Sequence, residues 1–172
     1  MRFSYYQRLS RAEQAIYRRS DDIHAVRLGA NQQPLVELAA AVERALAGGQ
    51  PPIIEGTCAA LCRMLTERLG VPPVVVRVLA VRPSDAGSEL HGLYTAGDGK
   101  PPTIRVWMRT AAHRRVVAFK AFLRTLLHEL CHHLDFELYR LPESFHTQGF
   151  FKRESSLFHQ LVPRSTARPR IT

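Results

Sequence analysis

The stretch RRVVAFKAFLRTLLHELCHHLDFELYR, residues Arg114–Arg140, decides the fold, because it is one of the longest uninterrupted helical patterns in the chain. Its apolar residues recur at intervals of three and four, which is the period of an amphipathic helix. The helix is predicted to begin near His113 and to end before Pro142, because a proline disfavours helical backbone in the residue before it. Four leucines on one side of this helix should pack into the core, namely Leu123, Leu127, Leu130 and Leu134.

Within this helix, His128-Glu129-Leu130-Cys131-His132 forms an HExxH motif. Residues four apart lie one turn apart on the same face, so both imidazoles can bind one metal ion and Glu129 can reach a water molecule on it. This arrangement is typical of zinc hydrolases in which the glutamate is the general base. The competing interpretation is that both histidines are only partly buried helix residues.

A catalytic zinc site needs a third protein ligand and an open position. His133 points about 100° round the helix from His132 and is better explained as a surface or packing residue. Asp135 has a short side chain, so it either orients a ligand histidine or is an ordinary polar helix residue. His146 and Glu154, which lie 14 and 22 residues after His132, are the stronger candidates, and His146 is preferred.

The same helical period predicts four further helices, three before the motif helix and one after it. Thr57 is expected to cap the third helix and Ser144 the last one, because both side chains can accept a hydrogen bond from a free backbone amide. The predicted helices cover Ser4–Ser20, Pro34–Ala47, Thr57–Leu69 and Ser144–Val162.

Three short segments rich in β-branched or aromatic residues, Val74–Arg82, Glu89–Ala96 and Thr103–Met108, predict a three-stranded meander. The order of elements indicates an α+β fold, with N-terminal helices, a small three-stranded sheet packed on the HExxH helix, and a second C-terminal helix. One domain is expected over residues 1–162, helical over 1–70 and containing the sheet and the metal-binding helices over 71–162. Residues 163–172, with three arginines and no acid, are predicted to form a disordered basic tail.

With 172 residues, the chain is long enough to bury a core without disulfides. Its apolar fraction of 45% and charged fraction of 23% exclude a disordered, collagenous or coiled-coil protein. No apolar stretch approaches the ~20 residues that a membrane span needs. The N-terminal sequence lacks the apolar core of a secretory signal and the cysteine count of 3 is odd, which together favour a cytosolic protein.

The net charge of +9 favours anionic partners. The segment between Gly99 and His128 is basic throughout and contains no acid, so it forms either a solvated face or a phosphate-facing surface beside the site. Nucleic acid is therefore a candidate partner. The seven basic residues of this segment are Lys100, Arg105, Arg109, Arg114, Arg115, Lys120 and Arg124.

The run TLLHELCHHLDF (125–136), followed after an interval by SFHTQGFF (144–151), resembles the SprT-like zinc metalloproteases. In that family an HExxH helix is followed by a helix with a His-Gly…Phe pattern that supplies the third histidine. The resemblance extends over about Thr103–Leu161. It departs from the family at Thr147, where glycine is common, and no cysteine-rich zinc ribbon follows. It implies a zincin-like fold in which the TIRVWM strand (103–108) forms the edge of the cleft, where a peptide can be added as a further strand.

The resemblance implies a zinc metallopeptidase that acts on a protein or peptide substrate. One zinc ion per chain would be held by His128, His132 and His146, with Glu129 as the general base. Two alternatives remain open: a zinc-dependent nucleic-acid hydrolase, because metal-activated water also attacks phosphodiesters, and a non-catalytic, zinc-stabilised basic module that binds nucleic acid. A further electrophile could be an arginine near the strand or one of Tyr94, His91 and Tyr139, among which the sequence does not choose.

Overall fold

The computed structural model describes residues 3–81, 84–85, 88–89, 91–109 and 115–163. A short 3-10 helix, Ser4–Arg8, precedes three α-helices in the N-terminal part, and two further α-helices follow the strands. The helix that carries the HExxH motif is the fourth. The helices are α1 (Arg11–Asp21), α2 (Gln33–Gly48), α3 (Pro51–Leu69), α4 (Phe119–Glu137) and α5 (Gln148–Leu161).

The main sheet has three strands, β1 (Val75–Val81), β4 (Gly92–Thr95) and β5 (Thr103–Arg109), in the order β1-β5-β4. β5 pairs parallel with β1 and antiparallel with β4, so the predicted meander is wrong. Two two-residue strands, β2 (Ser84–Asp85) and β3 (Ser88–Glu89), form a separate hairpin. The α+β class is confirmed, with a mixed sheet in place of an antiparallel one.

The distribution of apolar residues explains why the last strand is central. β5 has four buried residues, Ile104, Val106, Trp107 and Met108, whereas β4 contains a glycine and has two exposed side chains. A strand flanked on both edges and covered by helices needs a nearly continuous apolar run, and a short strand with Gly suits an edge. The apolar pattern is compatible with this strand order, but it does not by itself specify which strands pair.

The helices cover one face of the sheet. Val76 and Val78 of β1 and Ile104 and Val106 of β5 point to this face and are buried, and α4 packs against both β4 and β5. The buried cluster extends from Val26 in the loop after α1 to Leu161 in α5. α4 therefore has its leucines in this core and its opposite face towards β4 and α5. None of the helices in the described ranges is both long and apolar enough to cross a bilayer.

Several predicted helix boundaries are wrong. α3 begins at Pro51, not Thr57, because the two prolines of its first turn suit an N-terminus. α4 begins at Phe119 because Val116 and Val117 are extended and bond to the end of β5. The predicted Ser4–Ser20 helix is interrupted at Ser10, which forms a reciprocal capping box with Glu13. The expected basic tail lies outside the described residues, apart from its first residue.

Candidate metal centre

α4 places both histidines of the HExxH motif on one face. Residues 128 and 132 are one helical turn apart, and the centroids of their rings are 5.1 Å apart. The four leucines predicted to pack into the core, Leu123, Leu127, Leu130 and Leu134, are all fully buried. The helix is thus fixed by its apolar side, and its histidine face is left to line a cleft.

A turn after α4 brings a third histidine to this face. His146 Nε2 lies 3.0 Å from His128 Nε2 and 3.1 Å from His132 Nε2. Among the described residues, these three form the one group of side chains whose ligand atoms are close enough to share a metal ion, all within 4.8 Å of one another. His146 lies in the loop before α5 and not inside the helix as predicted, because Thr147, rather than Ser144, caps α5.

Glu154, the rival candidate for the third ligand, lies behind His128. Its Oε2 is 3.2 Å from His128 Nδ1, and its Oε1 accepts a hydrogen bond of 3.2 Å from Arg124 Nη1. A carboxylate cannot donate, so the proton of His128 is on Nδ1 and its Nε2 carries a lone pair. Glu154 therefore orients His128 and is not one of the residues whose ligand atoms converge on the possible metal position.

A second hydrogen-bond chain fixes His132 in the same way. Ser144 Oγ donates to Asp135 Oδ2 at 2.8 Å and lies 2.7 Å from His132 Nδ1. Because the hydroxyl proton goes to Asp135, the oxygen accepts from His132 Nδ1, and His132 Nε2 is also unprotonated. Asp135 therefore orients His132 through Ser144. The sequence predicts Ser144 only as a helix cap and does not indicate this hydrogen bond.

The three Nε2 atoms fit a zinc ion. With Zn–N distances of about 2.0–2.1 Å and tetrahedral angles, ligand nitrogens lie about 3.3 Å from each other. Two of the pairs here are 3.0 and 3.1 Å apart, and at least two of the nitrogens present lone pairs. Unprotonated imidazole nitrogens that converge on one point can bind a metal ion, so the donor set suits a metal.

Burial favours the neutral imidazole of His132 and His146, which is the form that binds a metal. Burial, followed by the effects of His128 and His146, lowers the pKa of His132 to about 3. The pKa of His146 is also lowered, mainly by burial and then by His128. Near neutral pH, protons therefore compete only weakly with a metal ion for the imidazole nitrogens of His132 and His146.

Glu129 lies against the edge strand. Only 6% of its surface is exposed, and a Cβ atom built on Gly92 would lie 2.5 Å from its Oε1. Burial raises the pKa of Glu129, and His128 and a hydrogen bond from the backbone of Tyr94 oppose this shift. Gly92 in β4 is thus required by the close approach of the Glu129 carboxylate, a requirement that no local sequence pattern indicates.

A cleft of about 700 Å³ runs between α4 and the edge strand. β4 forms the edge of this cleft. The prediction that the TIRVWM strand, which is β5, forms the cleft edge is therefore wrong. Within the described residues, β4 pairs with no strand other than β5, and the backbone of Tyr94 also bonds to Glu129. The lining includes the three histidines of the group and Glu129, and also His91, Gly92, Leu93, Tyr94, Arg124, Thr125, Phe136, Glu143, Ser144 and Glu154.

The candidate electrophiles occupy different places. Tyr94 lines the cleft, but its hydroxyl pairs with His133 Nδ1 at 3.2 Å. His133 is buried and also bonds to the carbonyl of Pro72, so it is a packing residue. Tyr139 does not line the cleft and donates to the carbonyl of Ala25. Arg124 and His91 remain, both on the cleft wall.

A buried arginine connects the site to the N-terminal helix. Arg153 forms an ion pair of 2.7 Å with Asp135 and donates to the carbonyls of Ser20 and Ile23. Its side chain is only 1% exposed. An unpaired charge there would be costly, so the pair fixes α5 against α4 and α1. Apart from the opposite charges of Arg153 and Asp135, no sequence pattern indicates this pairing.

The N-terminal segment also supports the third histidine. Tyr5 donates its hydroxyl to the carbonyl of His146 at 2.8 Å. Gly149 donates its backbone amide to Asp21, and a Cβ at this glycine would lie 2.5 Å from the carbonyls of both Ser20 and Asp21. Residues 5–21 therefore form one wall of the His146 loop, although they contain no recognisable motif.

The remaining observations concern the cysteines and the basic segment. Cys58, Cys62 and Cys131 are free thiols and are fully buried. Of the basic segment, Arg124 is a cleft residue, and Arg114 lies outside the described residues.

No family model, curated protein or solved structure matches the chain.

Proposed function

We propose that the protein is a zinc-dependent metallopeptidase of SprT-like type, with one zinc ion held by His128, His132 and His146. The observation that carries the proposal is the convergence of three Nε2 atoms beside a buried glutamate in an open cleft, where hydrogen-bond partners at Nδ1 of His128 and His132 favour the tautomer with a free Nε2. Structural zinc sites use four protein ligands, whereas three ligands with access to solvent are typical of catalytic sites.

Each side chain has a definable role. A zinc ion held by His128, His132 and His146 would supply Lewis acidity to the scissile carbonyl and would lower the pKa of the attacking water. Glu129 takes the proton of that water and delivers it to the leaving amine, a role favoured by the raised pKa that burial gives it. Glu154 and the Asp135–Ser144 pair orient His128 and His132.

The cleft edge of β4, which pairs with no other strand in the described residues, supports a peptide as the substrate. An extended peptide can pair with this edge by backbone hydrogen bonds and so place a carbonyl between the strand and the histidines. A nucleic-acid strand cannot use such pairing. The peptidase is therefore favoured over the zinc-dependent nucleic-acid hydrolase, although the basic charge is compatible with action near nucleic acid.

The test is cleavage of a mixture of unstructured peptides, and separately of an oligonucleotide, by zinc-loaded protein. We expect peptide cleavage that Glu129→Gln abolishes while zinc content stays unchanged. Glu137→Gln is the matched control, because this glutamate lies on the same helix outside the cleft and should retain activity. Cleavage of the oligonucleotide alone, or peptide cleavage equal in Glu129→Gln, would contradict the proposal.

A further inference from the structure

The two ends of the cleft carry opposite charges. Arg124 lines the cleft one helical turn before His128. At the other end is the exposed Glu143, next to Ser144, which touches His132. A peptide lying along the cleft would therefore meet the guanidinium of Arg124, which is paired with Glu154, near one end and the carboxylate of Glu143 nearer the other.

Arg124 is held in place as a binding group would be. Its Nη1 pairs with Glu154 at 3.2 Å, and its guanidinium lies 4.1 Å above the ring of Phe158. The Arg124 side chain is 40% exposed, whereas that of Glu154 is 11% exposed. A guanidinium has five N–H donors, so its pairing with Glu154 leaves donors for a ligand in the cleft that Arg124 lines.

The packing of β4 on α4 gives the direction of a bound peptide. Gly92 contacts the α4 residues Thr125 and Glu129, and Tyr94 stacks on His132 and Phe136. β4 and α4 therefore run in the same direction along the cleft. A peptide added antiparallel to β4, the more stable pairing, places its C-terminal part at the Arg124 end.

We propose that Arg124 forms a subsite for a carboxylate on the C-terminal side of the scissile bond, either an acidic side chain or the terminal carboxylate of the substrate. This inference rests on the proposed peptidase function. Along α4, Arg124 lies about 9 Å from the midpoint of His128 and His132. An extended chain advances about 3.3 Å per residue, so the carboxylate belongs to one of the first three residues after the cut. Glu143 repels a carboxylate on the other side.

The experiment compares amidated peptides that carry Asp or its neutral isostere Asn at each position around one cleavage site, with the zinc-loaded full chain. We expect kcat/KM to be about fivefold to tenfold higher for Asp at one of the three positions after the cut, and not before it. A second set, with a free or amidated C-terminus at the same positions, distinguishes a terminal carboxylate from an acidic side chain.

Arg124→Gln should bring the Asp/Asn ratio to within about twofold of one, and Arg124→Lys should retain part of it. The ratio compares two peptides on the same protein, so any loss of zinc through Glu154 cancels. Glu143→Gln is the matched control and should keep the preference after the cut. Binding of the same peptides to zinc-loaded Glu129→Gln, measured by fluorescence anisotropy, gives a second readout that needs no turnover.

The outcomes separate the two proposals. Glu129-dependent cleavage with no Asp preference in any of the three positions, or with a preference that survives Arg124→Gln, would overturn the subsite and leave the peptidase standing. No Glu129-dependent cleavage of any peptide would overturn the proposed function, and the subsite would fall with it if the Glu129→Gln protein also bound Asp and Asn peptides equally.

Discussion

Gly149→Ala provides a test of how tightly the N-terminal helix is packed against the His146 loop. A methyl group at this position would lie 2.5 Å from the backbone carbonyl oxygens of both Ser20 and Asp21. Backbone atoms cannot rotate away, so α1 or α5 must move. Overpacking of this kind costs about 1–3 kcal/mol, and the higher helix propensity of alanine returns at most ~1 kcal/mol.

The expected net loss of stability is about 1–2 kcal/mol, which corresponds to about 3–6 °C in Tm for a chain of this size. Thermal and urea unfolding of the metal-free protein measure it without any contribution from zinc. Gly56→Ala is the matched control, because Gly56 lies in α3 with nothing within 4 Å of its Cβ position. This variant should be stabilised by up to ~1 kcal/mol. A Gly149→Ala protein as stable as Gly56→Ala would refute the packing described here.

Three further predictions follow from single contacts. Gly92→Ala should keep its zinc but lose at least about tenfold in peptide hydrolysis, because the methyl group would meet the Glu129 carboxylate at 2.5 Å. Tyr5→Phe should weaken zinc binding about threefold in a chelator competition, since it removes the hydrogen bond to the His146 carbonyl, whereas Tyr6→Phe should not. The thiols of Cys58, Cys62 and Cys131 should react with iodoacetamide only after unfolding, because all three are buried. Burial also raises the pKa of Cys62 to about 12. Rapid labelling of the native protein would contradict this burial.

The part of the site that follows helical periodicity could be predicted from the sequence. Helical periodicity sets the angular positions of His128, Glu129 and His132 around α4. The pattern that predicts buried leucines on one side of the helix therefore predicts these three residues on the other side. His146 required more, because a loop of 10 residues separates α4 from α5, and its preference over Glu154 depended on that loop folding the last helix back onto α4.

What could not be predicted depends on contacts between distant segments. The position of β4 at the cleft edge depends on β1 pairing with β5 across the intervening strands, and nothing in the local sequence specifies that order. The roles of Arg153 and Tyr5 likewise arise from contacts over more than 100 residues. Ser144 was assigned to a cap because its residue type suits one, whereas a buried partner, Asp135, determined its role.

The central claim is that His128, His132 and His146 hold one zinc ion while Glu154 only orients His128. The most direct measurement is zinc per chain, by elemental analysis after exhaustive dialysis, for the wild type, His146→Ala and Glu154→Ala. We predict one zinc in the wild type, none in His146→Ala, and zinc retained with about 10–100-fold weaker affinity in Glu154→Ala. Zinc retained by His146→Ala and lost from Glu154→Ala, or no zinc in any protein after it is supplied, would contradict the account.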